Sequence, residues 1–353
     1  MEALKIWETA PFNSKRSKLE DMDIHEEYTF ADLMMTHSGI FNYEAAVVED
    51  MSGNDTQVYR NEILNPNRPA KETYEDEPIL IPYIVPGSDR CIICCPGGGY
   101  LDKSMENEGE DIAEFLNAAG ISCFVLWYRS YPYTAPVPFR DCQRAIRYVR
   151  YHAAEYGIDP EKIGIMGFSA GGNLCAATVE IFRESAVEDP AYVPDKVDAV
   201  SARVKVLGLI YAAVDFTRST AFLSAIEKRD ALKDPAVLKE RVEYYTVKNH
   251  IRPGDPATFL ACAYDDLLVP ITNSLEYAEA LNANHVPFEL HVFQEGGHGF
   301  GGCKPDPNGM ALSDTERTAK WKELFATWAL KELDREGQFD PTAIFEKYAG
   351  LIN

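Results

Sequence analysis

The sequence predicts an α/β protein built on a doubly wound, mostly parallel sheet. Two observations carry that prediction. From about residue 90 onward, short apolar runs alternate with longer amphipathic ones, the order expected when strands and crossover helices take turns. Several of the short runs, such as CIICC (91–95), ISCFVLWY (121–128) and KIGIMG (162–167), are apolar at nearly every position. Strands read that way when helices cover both faces of the sheet.

The elements follow in order. Residues 1–60 are polar, mixed and weakly periodic. An N-terminal extension over 1–75 is expected to pack on or near a main domain spanning 76–353. ILIPYIV (79–85) and CIICC read as strands parted by the turn Pro86-Gly87-Ser88-Asp89. A helical run through Asp111–Asn117 stops near Gly120. After ISCFVLWY comes an aromatic, proline-rich loop, RSYPYTAPVP (129–138). The next helix puts Cys142, Ile146, Val149, Ala153 and Tyr156 on one face, with Arg140, Arg144, Arg147 and Arg150 off it. Then follow the strand KIGIMG, a helix over 171–183, and the strands VKVLGLIYA (204–212) and TFLACAY (258–264). The helix SLEYAEALNA (274–283) and the strand FELHVF (288–293) come next. A last helix opens with a capping box from Ser313 to Glu316. It carries Trp321, Leu324, Phe325 and Trp328 on one face and stops near Gly337. Two intervals break the alternation. Residues 185–203 read as a surface insertion. Residues 213–256 are too long for one crossover helix and are expected to form a small cap over the sheet edge.

Composition excludes several classes. The chain has 353 residues, 46% of them apolar, enough for a substantial core. Acids exceed bases by 56 to 34, a net charge of −22. That charge repels nucleic acid and anionic membrane, so neither is expected as a partner. No apolar run approaches the roughly 20 residues that span a bilayer. The first residues lack the apolar core and cleavage site of a secretory signal. A cytoplasmic protein is expected. Cys91, Cys94, Cys95, Cys123, Cys175 and Cys262 lie in apolar runs, where a thiol packs as a small hydrophobe. The C-x-x-C of Cys91 and Cys94 has no second pair at zinc spacing. No metal and no cofactor are expected, and the sequence leaves a homo-oligomer open.

Chemistry concentrates at GFSAGG (167–172), between a strand and a helix. Gly167-Phe168-Ser169-Ala170-Gly171 matches G-x-S-x-G in the context the motif requires. A sharp strand-to-helix turn leaves room only for very small residues two positions either side of the serine, and it holds Oγ above the sheet. A serine hydroxyl needs a base. Among seven histidines, His298 stands in QEGGHGFGG, a glycine loop just past a strand end. His291 lies inside a strand, and His25, His37, His152, His250 and His285 carry no site signal. The imidazole needs a carboxylate to fix its tautomer. Asp265, nearest the end of TFLACAY, is the first choice, Asp266 the close alternative, and Asp215 a third. Each member then sits at the carboxyl end of a strand, where open α/β sheets place their sites. For the oxyanion, the N–H groups of Gly98, Gly99 and Ala170 are the expected donors. The rival phosphate-loop reading of CCPGGGY fails for want of G-K-[ST].

With PGGGY (96–100), GISCFVLWYR (120–129), FRDC through SAGG (139–172), DDLLVP (265–270) and GGHGF (296–300) in place, the sequence resembles the α/β-hydrolases of the acetyl esterase/lipase branch. That branch is related to hormone-sensitive-lipase-like carboxylesterases and small xylan-side-chain esterases. The resemblance spans about residues 79–330. Pro96 and Asn173 stand where many members have histidine. It implies Ser169 as nucleophile, Asp265 as acid and His298 as base, with Gly98, Gly99 and Ala170 as the oxyanion hole. A small-molecule ester is then the expected substrate, with acetyl esters of carbohydrate or another small alcohol favoured. Tyr100, Tyr131, Phe168 and Phe300 are expected to line the acyl pocket or stack on a sugar ring. An amide-cleaving hydrolase and an inactive hydrolase-fold binding protein are the alternatives.

Overall fold

The computed structural model describes residues 3–12, 78–100, 103–130, 133–217, 223–227, 232–303, 315–337 and 339. Eight strands form one sheet: β1 (Leu4–Lys5), β2 (Ile79–Tyr83), β3 (Cys91–Cys95), β4 (Ser122–Trp127), β5 (Ile163–Phe168), β6 (Val206–Ile210), β7 (Ala257–Ala263) and β8 (Phe288–Phe293). Their spatial order is β1-β2-β4-β3-β5-β6-β7-β8. β2 runs antiparallel to β1 and β4, and every later pairing is parallel. The order reverses direction around β3, so crossovers fall on both faces.

The strand alternation sorts the core into two layers. On one face, Ile93, Cys95, Phe124, Ile165 and Leu207 meet α2 (Val137–Tyr151), α3 (Ser169–Ala177) and α5 (Thr272–Ala283). On the other, Ile92, Cys94, Val125, Met166 and Phe259 meet α1 (Asp111–Ala118) and α6 (Lys320–Leu333), where Trp321, Phe325 and Trp328 pack. Leu324, expected on that apolar face, is exposed instead. Ser313 and Asp314 of the expected capping box lie outside the described residues. The interval between β6 and β7 carries α4 (Pro235–Tyr245), which Asp234 caps by accepting from the N–H of Ala236 at 2.8 Å. Proline at its first position suits a helix start that has no use for an amide donor.

The arginines that the sequence places off the apolar face of α2 are not open to water. Arg140, Arg144 and Arg147 are buried. Residues 182–198 fold over them: Arg140 pairs with Glu188, Arg144 with Asp195 and Asp198, and Arg147 with Glu184. The stretch expected as a plain surface insertion therefore supplies counter-charges to this helix. Beneath it, Arg129 at the end of β4 makes a fully buried pair with Asp141 at 2.7 Å. Trp7 donates its indole N–H to the same carboxylate at 2.9 Å, and Arg129 also donates to the carbonyl of Pro11 at 2.8 Å. Residues 3–12 are thereby fastened to the ion pair as well as to the sheet edge; the rest of the expected extension lies outside the described residues.

Candidate active site

The turn from β5 into α3 places Ser169. Phe168 is still extended, and Ser169 takes a φ of 49°, a left-handed value that side chains rarely adopt. The flanking glycines explain how so tight a corner fits. A Cβ on Gly171 would overlap the carbonyl oxygens of Cys95 and Pro96, and one on Gly167 would overlap the carbonyl of Gly171. The corner thus packs backbone against backbone, and Oγ stands clear of it.

His298 lies on the loop after β8, at the carboxyl edge of the sheet. Its Nε2 is 2.9 Å from Ser169 Oγ, and its Nδ1 is 2.8 Å from Asp266 Oδ2. The Asp266 side chain has no exposure, and its Oδ1 accepts the N–H groups of Leu268 at 2.9 Å and Val269 at 2.8 Å. A carboxylate can only accept, so Nδ1 carries the proton and Nε2 is left to accept from the serine hydroxyl.

The first-choice acid from the sequence is therefore corrected. Asp265 does not face the imidazole. Its Oδ1 accepts the N–H of Gly297 at 2.8 Å and holds the histidine loop from the side. Asp266 turns inward because the chain after β7 closes a turn from its N–H to the carbonyl of Ala263. Asp215 is occupied elsewhere, with Lys248 at 2.8 Å and with the amide and hydroxyl of Thr217.

The glycine loop follows β3. Gly97 is locked at both ends: its N–H goes to Glu108 Oε2 at 2.6 Å, and its carbonyl accepts from Ser104 at 2.9 Å. The carbonyl of Pro96 accepts the Tyr128 hydroxyl at 2.8 Å. Gly98 and Gly99 take φ of 136° and 65°, values open to glycine. No acceptor among the described residues takes up their amides. Ala170 sits in the first turn of α3, where the helix itself provides no acceptor for its N–H.

The aromatic residues expected against substrate are corrected as well. Tyr100, Phe168 and Phe300 have 1%, 0% and 1% exposure, so none presents a surface to a ligand. Tyr100 donates to Asn173 Oδ1 at 2.7 Å, and Phe168 and Phe300 pack on Tyr211 and Trp321. Hydrophobic burial explains all three. Tyr131 lies outside the described residues.

Sequence reasoning missed Glu108 and Tyr211. Both are buried beside the site and joined to each other at 2.7 Å. Glu108 sits in the polar run MENEGE, and nothing in such a run marks a buried member. Three buried thiols, Cys95, Cys142 and Cys175, have sulfurs within 4.8 Å of one another, close enough for a soft metal ion. Burial pushes the thiols of Cys95 and Cys175 well up, while hydrogen bonds from those two thiols hold Cys142 well down. Among the described residues no helix is long and apolar enough to cross a membrane.

Residues 79–281 match the family model described as BD-FAE. An acetyl ester-xyloside bifunctional hydrolase from Caldicellulosiruptor lactoaceticus superposes with a TM-score of 0.62 at 36% identity, over 75% of this chain and 91% of that one. An acetylxylan esterase from Xylanibacter ruminicola is 31% identical over 61% of this chain. Endo-1,4-beta-xylanase B of Butyrivibrio fibrisolvens is 32% identical over 59%. The aligned stretch covers only 42% and 32% of those two relatives.

Proposed function

We propose, from the premise that this chain belongs to the BD-FAE family of α/β-hydrolases, that it is a serine carboxylesterase acting on short acyl esters. Acetyl esters of carbohydrate are the favoured substrates. The observation that carries the reading is the unbroken relay from Asp266 through His298 to Ser169, at 2.8 and 2.9 Å.

In this reading, Ser169 Oγ attacks the ester carbonyl carbon as its proton passes to Nε2 of His298. The carbonyl oxygen becomes an oxyanion held by the amides of Gly98, Gly99 and Ala170. Each such donor is worth about a hundredfold to a thousandfold in rate. The intermediate collapses, the bond to the alcohol oxygen breaks, and His298 returns its proton to that oxygen. Water then gives a proton to His298 and attacks the acyl-enzyme. The carboxylic acid leaves, and Oγ regains its proton. Asp266 stays ionised throughout and stabilises the imidazolium.

The acetyl and carbohydrate preference draws on relatives named for acetylxylan and acetyl ester-xyloside hydrolysis. A reducing, cytoplasmic setting belongs to the same reading, because all eight cysteines are free thiols. The test is release of nitrophenol from nitrophenyl esters of increasing acyl length, with acetate release from acetylated xylo-oligosaccharide beside it. Ser169→Ala is expected to abolish both. Turnover that survives the substitution overturns the mechanism, and faster cleavage of aryl amides than of esters overturns the substrate class.

A further inference from the structure

Glu108 is an acid that the chemistry above does not use. It has 4% exposure and lies in the π-helical turn Glu106–Glu110 that leads into α1. Such turns recur where a helix is bent to function. Its two oxygens face two different parts of the site. Oε2 accepts the N–H of Gly97, at the head of the glycine loop, at 2.6 Å. Oε1 accepts the hydroxyl of Tyr211 at 2.7 Å. That hydroxyl in turn accepts the N–H of Gly301 at 2.9 Å, three residues beyond His298.

The neighbouring side chain does the same work. Asn107 Oδ1 accepts from the N–H of Gly302 at 3.0 Å, and its Nδ2 donates to the carbonyl of Gly299 at 3.1 Å. A Cβ on Gly301 would run into the side chains of Asn107 and Glu108, so the loop and the turn are in close contact. Tyr211 follows β6 with a φ of 38°, a strained value for a tyrosine. Its ring meets the His298 ring edge-on with centroids 4.9 Å apart.

We propose that Glu108 and Tyr211 are positioning residues that join the oxyanion loop to the histidine loop and set the spacing between the two. The inference rests on the Ser169 mechanism above. That chemistry needs the amides of Gly98 and Gly99 and the imidazole of His298 registered on one tetrahedral centre, and the two loops are about 200 residues apart in the chain. The direction of the hydrogen bonds supports an ionised Glu108. Gly97 and Gly301 can only donate, and a carboxylate then gives every proton in the chain an acceptor. A protonated acid would leave one proton, its own or the phenol's, without an acceptor among these groups. Burial holds the Glu108 carboxyl above its usual range, and the bonds from Tyr211 and Gly97 and the nearby His298 offset only part of that rise.

Tyr211→Phe removes one oxygen and keeps the ring, and Glu108→Gln keeps the shape and removes the charge. Folded variants, checked by circular dichroism and a cooperative melt, are assayed on nitrophenyl acetate beside wild type and Ser169→Ala. Each is expected to lower kcat between about tenfold and a hundredfold, as a small misplacement of reacting groups does. KM is expected to stay within about twofold, because substrate binding is not what is lost. The double variant is expected to lose no more than the worse single one, because both cut the same connection. Hydrogen exchange gives a readout that needs no turnover. Tyr211→Phe is expected to speed exchange in the peptide holding Gly97 as well as in the one holding Gly301. A kcat within about twofold of wild type in folded Tyr211→Phe overturns the proposal. So do losses that multiply in the double variant, or unchanged exchange at Gly97. Residual turnover in Ser169→Ala strikes the mechanism instead, and the exchange result still judges the connection.

Discussion

Replacing Asp266 by asparagine keeps the volume of the side chain and removes its charge. The surroundings dictate how the amide must lie. Oδ1 receives two backbone donors, from Leu268 and Val269, so the amide oxygen has to take that side. The NH2 group then faces Nδ1 of His298 across the present 2.8 Å. Two donors cannot face each other, so the imidazole moves its proton to Nε2 and can no longer accept from Ser169. A wrong tautomer in this type of triad costs about four orders of magnitude in kcat, or roughly 5.5 kcal/mol of barrier. Asp265→Asn is the control. Its one assigned partner is the N–H of Gly297, which an amide oxygen also satisfies, so the expected loss is below about tenfold. The assay is kcat on nitrophenyl acetate with melting temperature measured alongside. If Asp265→Asn is the crippled variant, or if Asp266→Asn keeps more than about a tenth of wild-type kcat, the assignment of the acid is refuted.

Two further predictions follow from packing and burial. Gly171→Ala would drive a methyl group into the backbone carbonyls of Cys95 and Pro96, where nothing flexible can yield. It should lower stability by about 3 kcal/mol or more in urea titration and abolish esterase activity, and a variant that melts like wild type would contradict the steric account of the turn. Glu180 is buried beside Asp255, and its carboxyl is pushed up to about 10, chiefly by desolvation. An unfolded glutamate loses its proton near pH 4.3, so the native state binds the extra proton between there and about 10, and stability falls as pH rises through that window by at most about 1.4 kcal/mol per unit. Glu180→Gln cannot titrate, so its urea midpoint should fall less steeply between pH 6 and 9; equal slopes would show that Glu180 is not held protonated.

What the sequence made legible follows from what its residues are required to do. CIICC and IGIMGF had to be apolar at every position because each strand is covered on both sides, so the sheet could be read without knowing its partners. The glycines around Ser169 are required by backbone contact alone, and His298 by its glycine loop at a strand end. The choice between Asp265 and Asp266 was not legible. Both acids follow β7, and which one turns inward depends on a single turn back to Ala263. Tyr100, Phe168 and Phe300 flank the motifs in sequence, yet their side chains point into the core. The burial of Arg140, Arg144 and Arg147 was not legible because the acids that cover them arrive about 40 to 50 residues later. The partnership of Glu108 with Tyr211 spans 103 residues, and β1, two residues long, is shorter than any period can reveal.

That two-residue strand has a consequence for the chain it precedes. Lys5 is paired directly with Ile79, so everything between them departs from and returns to one rim of the molecule. A protease cut anywhere between Phe12 and Pro78 would leave the short amino-terminal fragment seated, gripped by the sheet rim, by the indole of Trp7 on Asp141 and by the Pro11 carbonyl under Arg129. The nicked protein would migrate as two pieces in denaturing gels and as one body in solution.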